Sequence, residues 1–230
     1  MKHVVVLSGA GISAESGLRT FRDTNGLWED HRVEDVATPE AFARNPELVL
    51  HFYNLRRAQC LAAEPNAGHR LIGALEKHWR VTVITQNVDD LHERGGSTEV
   101  IHLHGLLTHV RPVGGGPARE WTGDLNLGHR DEAGEQLRPH IVWFGEEVPM
   151  IERAVNEIQT ADAVIVIGTS LQVYPAAGLI SYAPPEAPVL YVDPNPDGNY
   201  ELRERKHLHI LKMGGSEGML RVREMLHELL

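Results

Sequence analysis

Seven short runs in this 230-residue chain are rich in β-branched residues and lack the polar alternation of a half-wet strand. They are "HVVVLSG" (3–9), "RVTVITQN" (80–87), "EVIHLHG" (99–105), "HIVWFGE" (140–146), "DAVIVIGTS" (162–170), "VLYVD" (189–193) and "LHIL" (208–211). A strand that is apolar on both faces has to be covered on both. Helical patterns over 46–63, 66–78, 88–94, 150–160, 176–181 and 217–230 supply the cover. Strands alternating with helices predict an α/β fold with a mostly parallel sheet and helices on both of its faces.

Two stretches interrupt the alternation. Some seventy residues separate the first strand from the second, far more than one crossover helix needs. Residues 106–139, including "VGGGPAREWTGDLNLGHRDEAGEQLRP", are Gly-rich, polar and weakly periodic. Both read as insertions that form a small helical or irregular module. The expected division is 1–30, 76–105 and 140–230 for the sheet domain, and 31–75 with 106–139 for the inserted one.

Acidic residues outnumber basic ones 32 to 22, a formal net charge of -10, which disfavours a nucleic-acid or membrane-surface partner. The opening "MKHVVVLSGAG" has a short apolar run, no small-residue cleavage site and a Gly-rich turn directly after it, so it reads as a buried strand and not a leader. No apolar run reaches the roughly 20 residues that span a bilayer. Cys60 is the only cysteine, which excludes an intrachain disulfide and a thiolate zinc site. The expectation is a cytoplasmic monomer.

"LSGAGISAESG" puts Gly9 and Gly11 just after the first strand, with a helix start at Ser13 and Ala14 in the last slot of Gly-x-Gly-x-x-Ala. Small residues let backbone approach a pyrophosphate, and a helix N-terminus offers it unpaired N–H groups, as in a Rossmann-like sheet. A tight strand-to-helix turn would leave the same pattern. A dehydrogenase would carry an acid at the end of the second strand, about 20 residues on, to hold a ribose. Here that strand comes far later and ends in "TQNVDD". The intervening "LRTFRDTNGLWED" carries Phe21, Arg22 and Asp23 and has the makings of a loop that folds over a cofactor, or of a solvated connector.

Taken in order, "GAGISAESGLRTFRD" (9–23), "TQNVDDLHERGG" (85–96), "HLHG" (102–105), "VWFGE" (142–146), "GTSLQVYPAAG" (168–178) and "VDPNP" (192–196) resemble the sirtuins, the NAD-dependent protein-lysine deacylases. The likeness runs over nearly the whole chain and is to the bacterial and mitochondrial branch that removes acidic acyl groups. It implies that the acyl oxygen of a modified lysine displaces nicotinamide from NAD. A base then activates a ribose hydroxyl, and the products are free lysine, nicotinamide and an O-acyl-ADP-ribose.

The resemblance also assigns residues. His104 matches the family's base, and a neutral imidazole suits that step because its ordinary pKa, about 6.5, lies near working pH. His102 stands two residues earlier on the same strand face, so spacing alone does not choose between them. Gln86, Asn87 and Asp89 match the nicotinamide and ribose pocket; without the family, "QNVDD" would read as a helix cap with acids in the first turn. Gly9, Ala10, Gly11, Ala14, Phe21, Arg22, Gly168, Thr169 and Ser170 complete the implied NAD contacts. Asp193, where the family commonly has Asn, and Gly215 in "MGGSEG" are implied on the adenosine side. "WFGE" and "SLQVY" resemble the two edges between which a substrate peptide lies, with Phe144, Gly145 and Val173 touching it. Trp143 and Phe144 would equally suit a core.

Most sirtuins brace the small domain with zinc held by four cysteines in the counterpart of 106–139. This chain has none there, and His109, His129, Glu120, Asp124 and Asp131 lack paired ligand spacing, so no zinc is expected. Burial of Trp121, Leu125, Leu127 and Leu137 is the expected substitute.

Within "HFYNLRRAQC" (51–60), Tyr53 and Arg56 lie at i and i+3 on nearly one helix face. The acidic-acyl branch carries Tyr-x-x-Arg in this helix, pointing into the acyl end of the lysine tunnel. A guanidinium grips a carboxylate in two places and a phenol adds a third hydrogen bond. Ala14 leaves room for the longer chain, and Arg57, about 100° further round, is expected in solvent. The implied activity is removal of succinyl and malonyl groups, and more slowly acetyl, from protein lysines. A mono-ADP-ribosyltransferase, a plain deacetylase, an NAD oxidoreductase and a non-catalytic NAD sensor are the rival readings.

Overall fold

The computed structural model describes residues 1–19, 27–28, 31–196 and 200–230. Strands β1 (His3–Ser8), β2 (Leu27–Trp28), β3 (His31–Arg32), β4 (Arg80–Thr85), β5 (Val100–His102) and β6 (Gly105–Pro112) come first. They are followed by β7 (Arg119–Glu120), β8 (Leu137–Ile141), β9 (Ala163–Ile167), β10 (Val189–Val192) and β11 (Leu208–Leu211). The α-helices are α1 (Val33–Val36), α2 (Pro39–Arg44), α3 (Pro46–Ala62), α4 (Ala67–Ala74), α5 (Leu91–Arg94), α6 (Ile151–Ile158), α7 (Tyr200–Arg203) and α8 (Gly215–Leu229).

Six strands make one parallel sheet in the order β11-β10-β9-β1-β4-β5. Every residue of β1, β9 and β10 is buried, as strands covered on both faces must be. Their side chains alternate between two cores. Val4 and Val6 pack with Ile72 and Leu75 and with Met219, Val222 and Leu226 of α8. Val5 and Leu7 pack with Ala154 and Ile158 of α6 and with Leu179 and Ile180. Those last two lie in a 3₁₀ helix, Ala176–Tyr182, where the sequence reads as α-helical.

The small module differs from its expected irregular form. Residues 106–139 contribute to an antiparallel sheet, β7-β6-β8, on which α1, α2 and α3 pack through Val36, Phe42, Leu50, Phe52 and Tyr53. The run "HIVWFGE" is not a strand of the parallel sheet. Its strand is β8, which pairs antiparallel with β6, and Trp143–Glu146 is a turn closed by Glu146 N–H donating to Trp143 O at 3.0 Å. The run at 99–105 likewise divides: β5 ends at His102, and Gly105, with φ +86, starts β6 in the other sheet. Segment 31–75 is shared, since Ile72 and Leu75 pack beneath the parallel sheet while the residues up to Cys60 pack in the module.

Helices α2 and α3 begin at Thr38-Pro39 and Asn45-Pro46. The cap side chains accept from Ala41 N at 3.0 Å and Leu48 N at 3.2 Å, and each proline occupies the first turn, where its missing N–H costs nothing. The buried stripe of α3 runs through Val49, Tyr53, Arg57 and Cys60, with Asn54 beside it. Arg57 is therefore not in solvent. It is 1% exposed, and it donates from Nε to Leu107 O (2.7 Å) and from Nη1 to Asn54 Oδ1 (2.8 Å) and Gly123 O (3.3 Å). Asn54 in turn donates to Leu125 O (3.0 Å) and accepts from Leu125 N (2.9 Å).

This polar staple ties α3 to β6 and to the long 112–137 connection. Leu125 and Leu137 are buried as expected, Trp121 partly so, but Leu127 is 46% exposed and adds little. Among the described residues no cluster of three or more His, Cys, Asp or Glu could hold a metal. Arg57→Met would remove three hydrogen bonds and leave the buried Leu107 O without its Arg57 donor, and the expected loss of stability is about 2–4 kcal/mol in urea unfolding. EDTA is expected to leave the melting temperature unchanged. A chelator-sensitive fold with a neutral Arg57→Met would contradict the staple.

Candidate active site

The strand order reverses between β1 and β9: the chain runs from β1 outward through β4 and β5, and from β9 the other way through β10 and β11. In such sheets the crevice beyond the carboxyl ends at the reversal is where ligands sit. Here the two turns meet there. Gly9 N–H donates to Ile167 O at 3.0 Å and Gly11 N–H to Gly168 O at 2.8 Å. A Cβ on Gly9 would lie 2.6 Å from Thr169 Cβ, and one on Gly11 2.8 Å from Gly168 Cα. The glycines thus serve close packing of one loop on another, which spacing alone did not reveal. The helix that follows is 3₁₀, from Ala10 to Ser16, so Ser13 is a buried interior residue and not a helix start.

A cavity of about 490 Å³ opens over these strand ends, within the usual range for small-molecule sites. Of the residues assigned to NAD from sequence, Gly9, Ala10, Gly11, Ala14, Gln86, Asn87, Asp89, Gly168, Thr169, Ser170 and Asp193 line it. So do His104, Tyr53, Arg56, Phe144, Gly145 and Val173. Gly215 does not: it starts α8 and approaches Ile12 and Gly68. Phe21, Arg22 and Asp23 lie outside the described residues.

The ends of β4 and β9 are tied by Gln86 Nε2 donating to Thr169 Oγ1 at 3.0 Å. Behind them lies a buried polar network that the sequence reading missed. Ser13 Oγ donates to Asp89 Oδ2 (3.0 Å) and accepts from Asn87 Nδ2 (3.1 Å). Asp89 Oδ1 accepts at 3.1 Å from the N–H of Leu91, the first residue of α5, which starts three residues later than the sequence pattern. Burial pushes the Asp89 carboxyl above its ordinary range, partly offset by those two hydrogen bonds. Further back, Ser8 Oγ donates to Thr85 Oγ1 (2.9 Å) and meets His92 Nε2 (2.8 Å). With the hydroxyl proton committed to Thr85, His92 Nε2 carries the N–H. Asp193, buried at the end of β10, accepts from Asn195 N at 2.8 Å.

Geometry separates the two histidines that spacing left equivalent. His102 does not line the cavity, and both of its nitrogens face acceptors: Glu93 Oε1 at 2.6 Å and Asn87 O at 3.2 Å. His104 does line it, with Nδ1 3.0 Å from Gln86 O. A carbonyl only accepts, so Nδ1 carries the proton and Nε2 keeps a lone pair. Burial, the larger influence, lowers the His104 pKa below its ordinary 6.5, which leaves the ring neutral and basic at pH 7.

Tyr53 is fully buried and Arg56 half-buried, one turn apart on α3 at the module's side of the same cavity. Phe144, at 48% exposure, and Val173, at 43%, line the cavity as exposed side chains, whereas Trp143 is core at 2%. Small backbone at the strand ends, buried acceptors and a neutral imidazole together fit a dinucleotide in an extended crevice.

Comparison with known proteins agrees with this arrangement. The profile of the Sir2 family matches residues 9–175, a span that includes both glycine turns, Tyr53, Arg56, Asp89 and His104. An NAD-dependent protein deacylase of Bacteroides thetaiotaomicron is 50% identical over 233 residues, with 98% of each chain covered. Another, from Helicobacter pylori, is 53% identical over 195 residues, covering 84% of this chain and 83% of its own. Among solved structures, a complex of a Sir2 homologue with NAD has a TM-score of 0.86 at 38% identity, covering 100% of this chain and 91% of that one. With the crevice, the buried acid and the imidazole placed as described, the chain belongs to the Sir2 family.

Proposed function

We propose that the chain removes acidic acyl groups, succinyl and malonyl, from protein lysines, with acetyl as a slower substrate. The broader activity comes with the family: the chain is an NAD-dependent protein deacylase, acting on acylated protein substrates. The finer reading is carried by one observation, that Tyr53 and Arg56 line the same cavity as His104. A guanidinium and a phenol at one end of a lysine tunnel bind a carboxylate through charge-assisted hydrogen bonds, each worth about 1.5–3 kcal/mol. A methyl terminus offers neither group an acceptor.

NAD, when bound, supplies an electrophilic ribose carbon and nicotinamide as its leaving group. This chain's part is to hold, orient and deprotonate. Gly9, Gly11 and Gly168, which line the cavity, would present backbone to the NAD phosphates. Asp89, fixed by Ser13 and Leu91 N, accepts from an amide N–H, and Asn87 is held in register by its own bond to Ser13. His104 takes a hydroxyl proton on Nε2, its ring oriented by the Gln86 carbonyl. The lips at Phe144–Gly145 and Val173 accept the peptide as an added strand, a mode that reads main chain more than sequence. A solved Sir2 mutant bound to a p53 peptide and NAD, with a TM-score of 0.77 at 31% identity, is a precedent for peptide docking in a relative.

Because the His104 pKa is lowered, its basic form is present above that lowered value and lost only as pH falls through it. The acid limb of kcat/KM is expected to have its midpoint below 6.5; a midpoint at or above 6.5 would count against His104 as the base. For the acyl reading, Arg56→Met is expected to lower kcat/KM on a succinyl-lysine peptide by about 2–3 kcal/mol, some 30- to 150-fold, and to cost an acetyl-lysine peptide far less. Equal losses on both peptides would reject it.

A further inference from the structure

Behind the acyl end of the cavity lies a chain of contacts that the proposed reaction does not use. Arg138, 4% exposed, donates to both carboxylate oxygens of Glu146, Nη1 to Oε1 at 2.6 Å and Nη2 to Oε2 at 3.0 Å, and to Ile141 O at 2.9 Å. Its guanidinium carbon sits 3.3 Å from the centroid of the Trp143 ring. Glu146 Oε2 also accepts from Trp143 N at 2.8 Å, and Phe42 packs on the indole with centroids 5.3 Å apart. The indole is fixed at its backbone and over its faces.

Its single polar atom, Nε1, only donates, and it donates to Tyr53 Oη at 3.0 Å. A phenol has one proton, held in the ring plane on one side of the oxygen or the other. With the indole N–H on one side, the proton is turned to the other. Among the described residues Tyr53 Oη has no second hydrogen-bond partner, so that proton meets no acceptor among them. Yet Tyr53 lines the cavity beside Arg56.

We infer that Trp143 is a positioning residue for acyl selectivity: its indole N–H locks the Tyr53 hydroxyl as a donor toward an anionic acyl terminus. The Arg138–Glu146 pair holds the indole for that purpose. The inference rests on the acidic-acyl reading of Tyr53 and Arg56. Burial pushes the Tyr53 hydroxyl up to about 12, so it stays protonated, and able to donate, throughout the working range.

The test is steady-state kinetics of Trp143→Phe, Tyr53→Phe and the double variant on succinyl- and acetyl-lysine peptides of one sequence, with kcat and KM separated. Trp143→Phe keeps an aromatic ring on the backbone beside Arg138 and removes the donor together with part of the indole's volume, a loss of packing that falls on both peptides alike. The succinyl-to-acetyl ratio of kcat/KM is expected to fall about fivefold, as one neutral hydrogen bond would give, with the change in succinyl KM. In the Tyr53→Phe background the same substitution is expected to change succinyl KM by less than about twofold. Equal losses on both peptides, or full additivity with Tyr53→Phe, would mean that Trp143 only supports the fold and would overturn the inference. If Tyr53→Phe and Arg56→Met leave the ratio unchanged, the acyl reading itself fails; if they collapse it while Trp143→Phe does not, only this inference fails. Should Trp143→Phe not fold, benzothienylalanine at 143, isosteric with Trp but lacking the N–H, gives the same comparison.

Discussion

Backbone touches backbone where the turn after β1 meets the turn after β9, and the contact leaves no volume for a side chain on Gly9 or Gly11. Much else follows from that closeness. It joins two central, fully buried strands at the point where the sheet's order reverses, so the crevice above them is open by topology and not by a missing side chain. It brings Thr169 within reach of Gln86, and so couples the ends of three neighbouring strands into one floor. On that floor stand a buried carboxyl held by Ser13 and an imidazole whose proton is placed by a carbonyl.

Helix α3 does two jobs at once because 3.6 residues per turn lets adjacent arginines face different neighbours. Arg57, four residues after Tyr53, continues the buried stripe and fastens the module with hydrogen bonds to carbonyl and amide oxygens. Arg56, three after Tyr53, turns toward the cavity. The side chain that braces the lobe and the one that lines the cavity are thus neighbours in sequence. Tyr53, one turn before both, is pinned by Trp143. A module braced through such a helix couples its own stability to the geometry of the cavity wall at Tyr53 and Arg56.

The sheet was legible in the sequence because strands buried on both faces leave unbroken β-branched runs, and α3 through its helical pattern over 46–63, whereas the short α2 was not read. Tyr53, Arg56, His104 and Asp89 were legible through a family pattern, and all four line one cavity. What failed did so for physical reasons. Arg57 read as wet because burial of a guanidinium depends on oxygens 50 and 66 residues away. The β6–β8 sheet hid in Gly-rich, polar sequence because β6 alternates buried with half-buried residues and β8 carries Pro139. Ser13 passed for a helix start, since a hydroxyl that bridges Asn87 and Asp89 looks the same in sequence. Gly215, placed by a looser motif, is not among the residues lining the cavity and lies near Ile12 and Gly68.

The central claim is that an acyl carboxylate finds its partners at Tyr53 and Arg56. The most direct measurement is kcat/KM of the unaltered enzyme with NAD on one lysine peptide bearing acetyl, malonyl, succinyl or glutaryl in turn. The account predicts that succinyl or malonyl exceeds acetyl by more than about tenfold, the difference expected from one charge-assisted hydrogen bond or more. A preference for acetyl, or no preference, would contradict it.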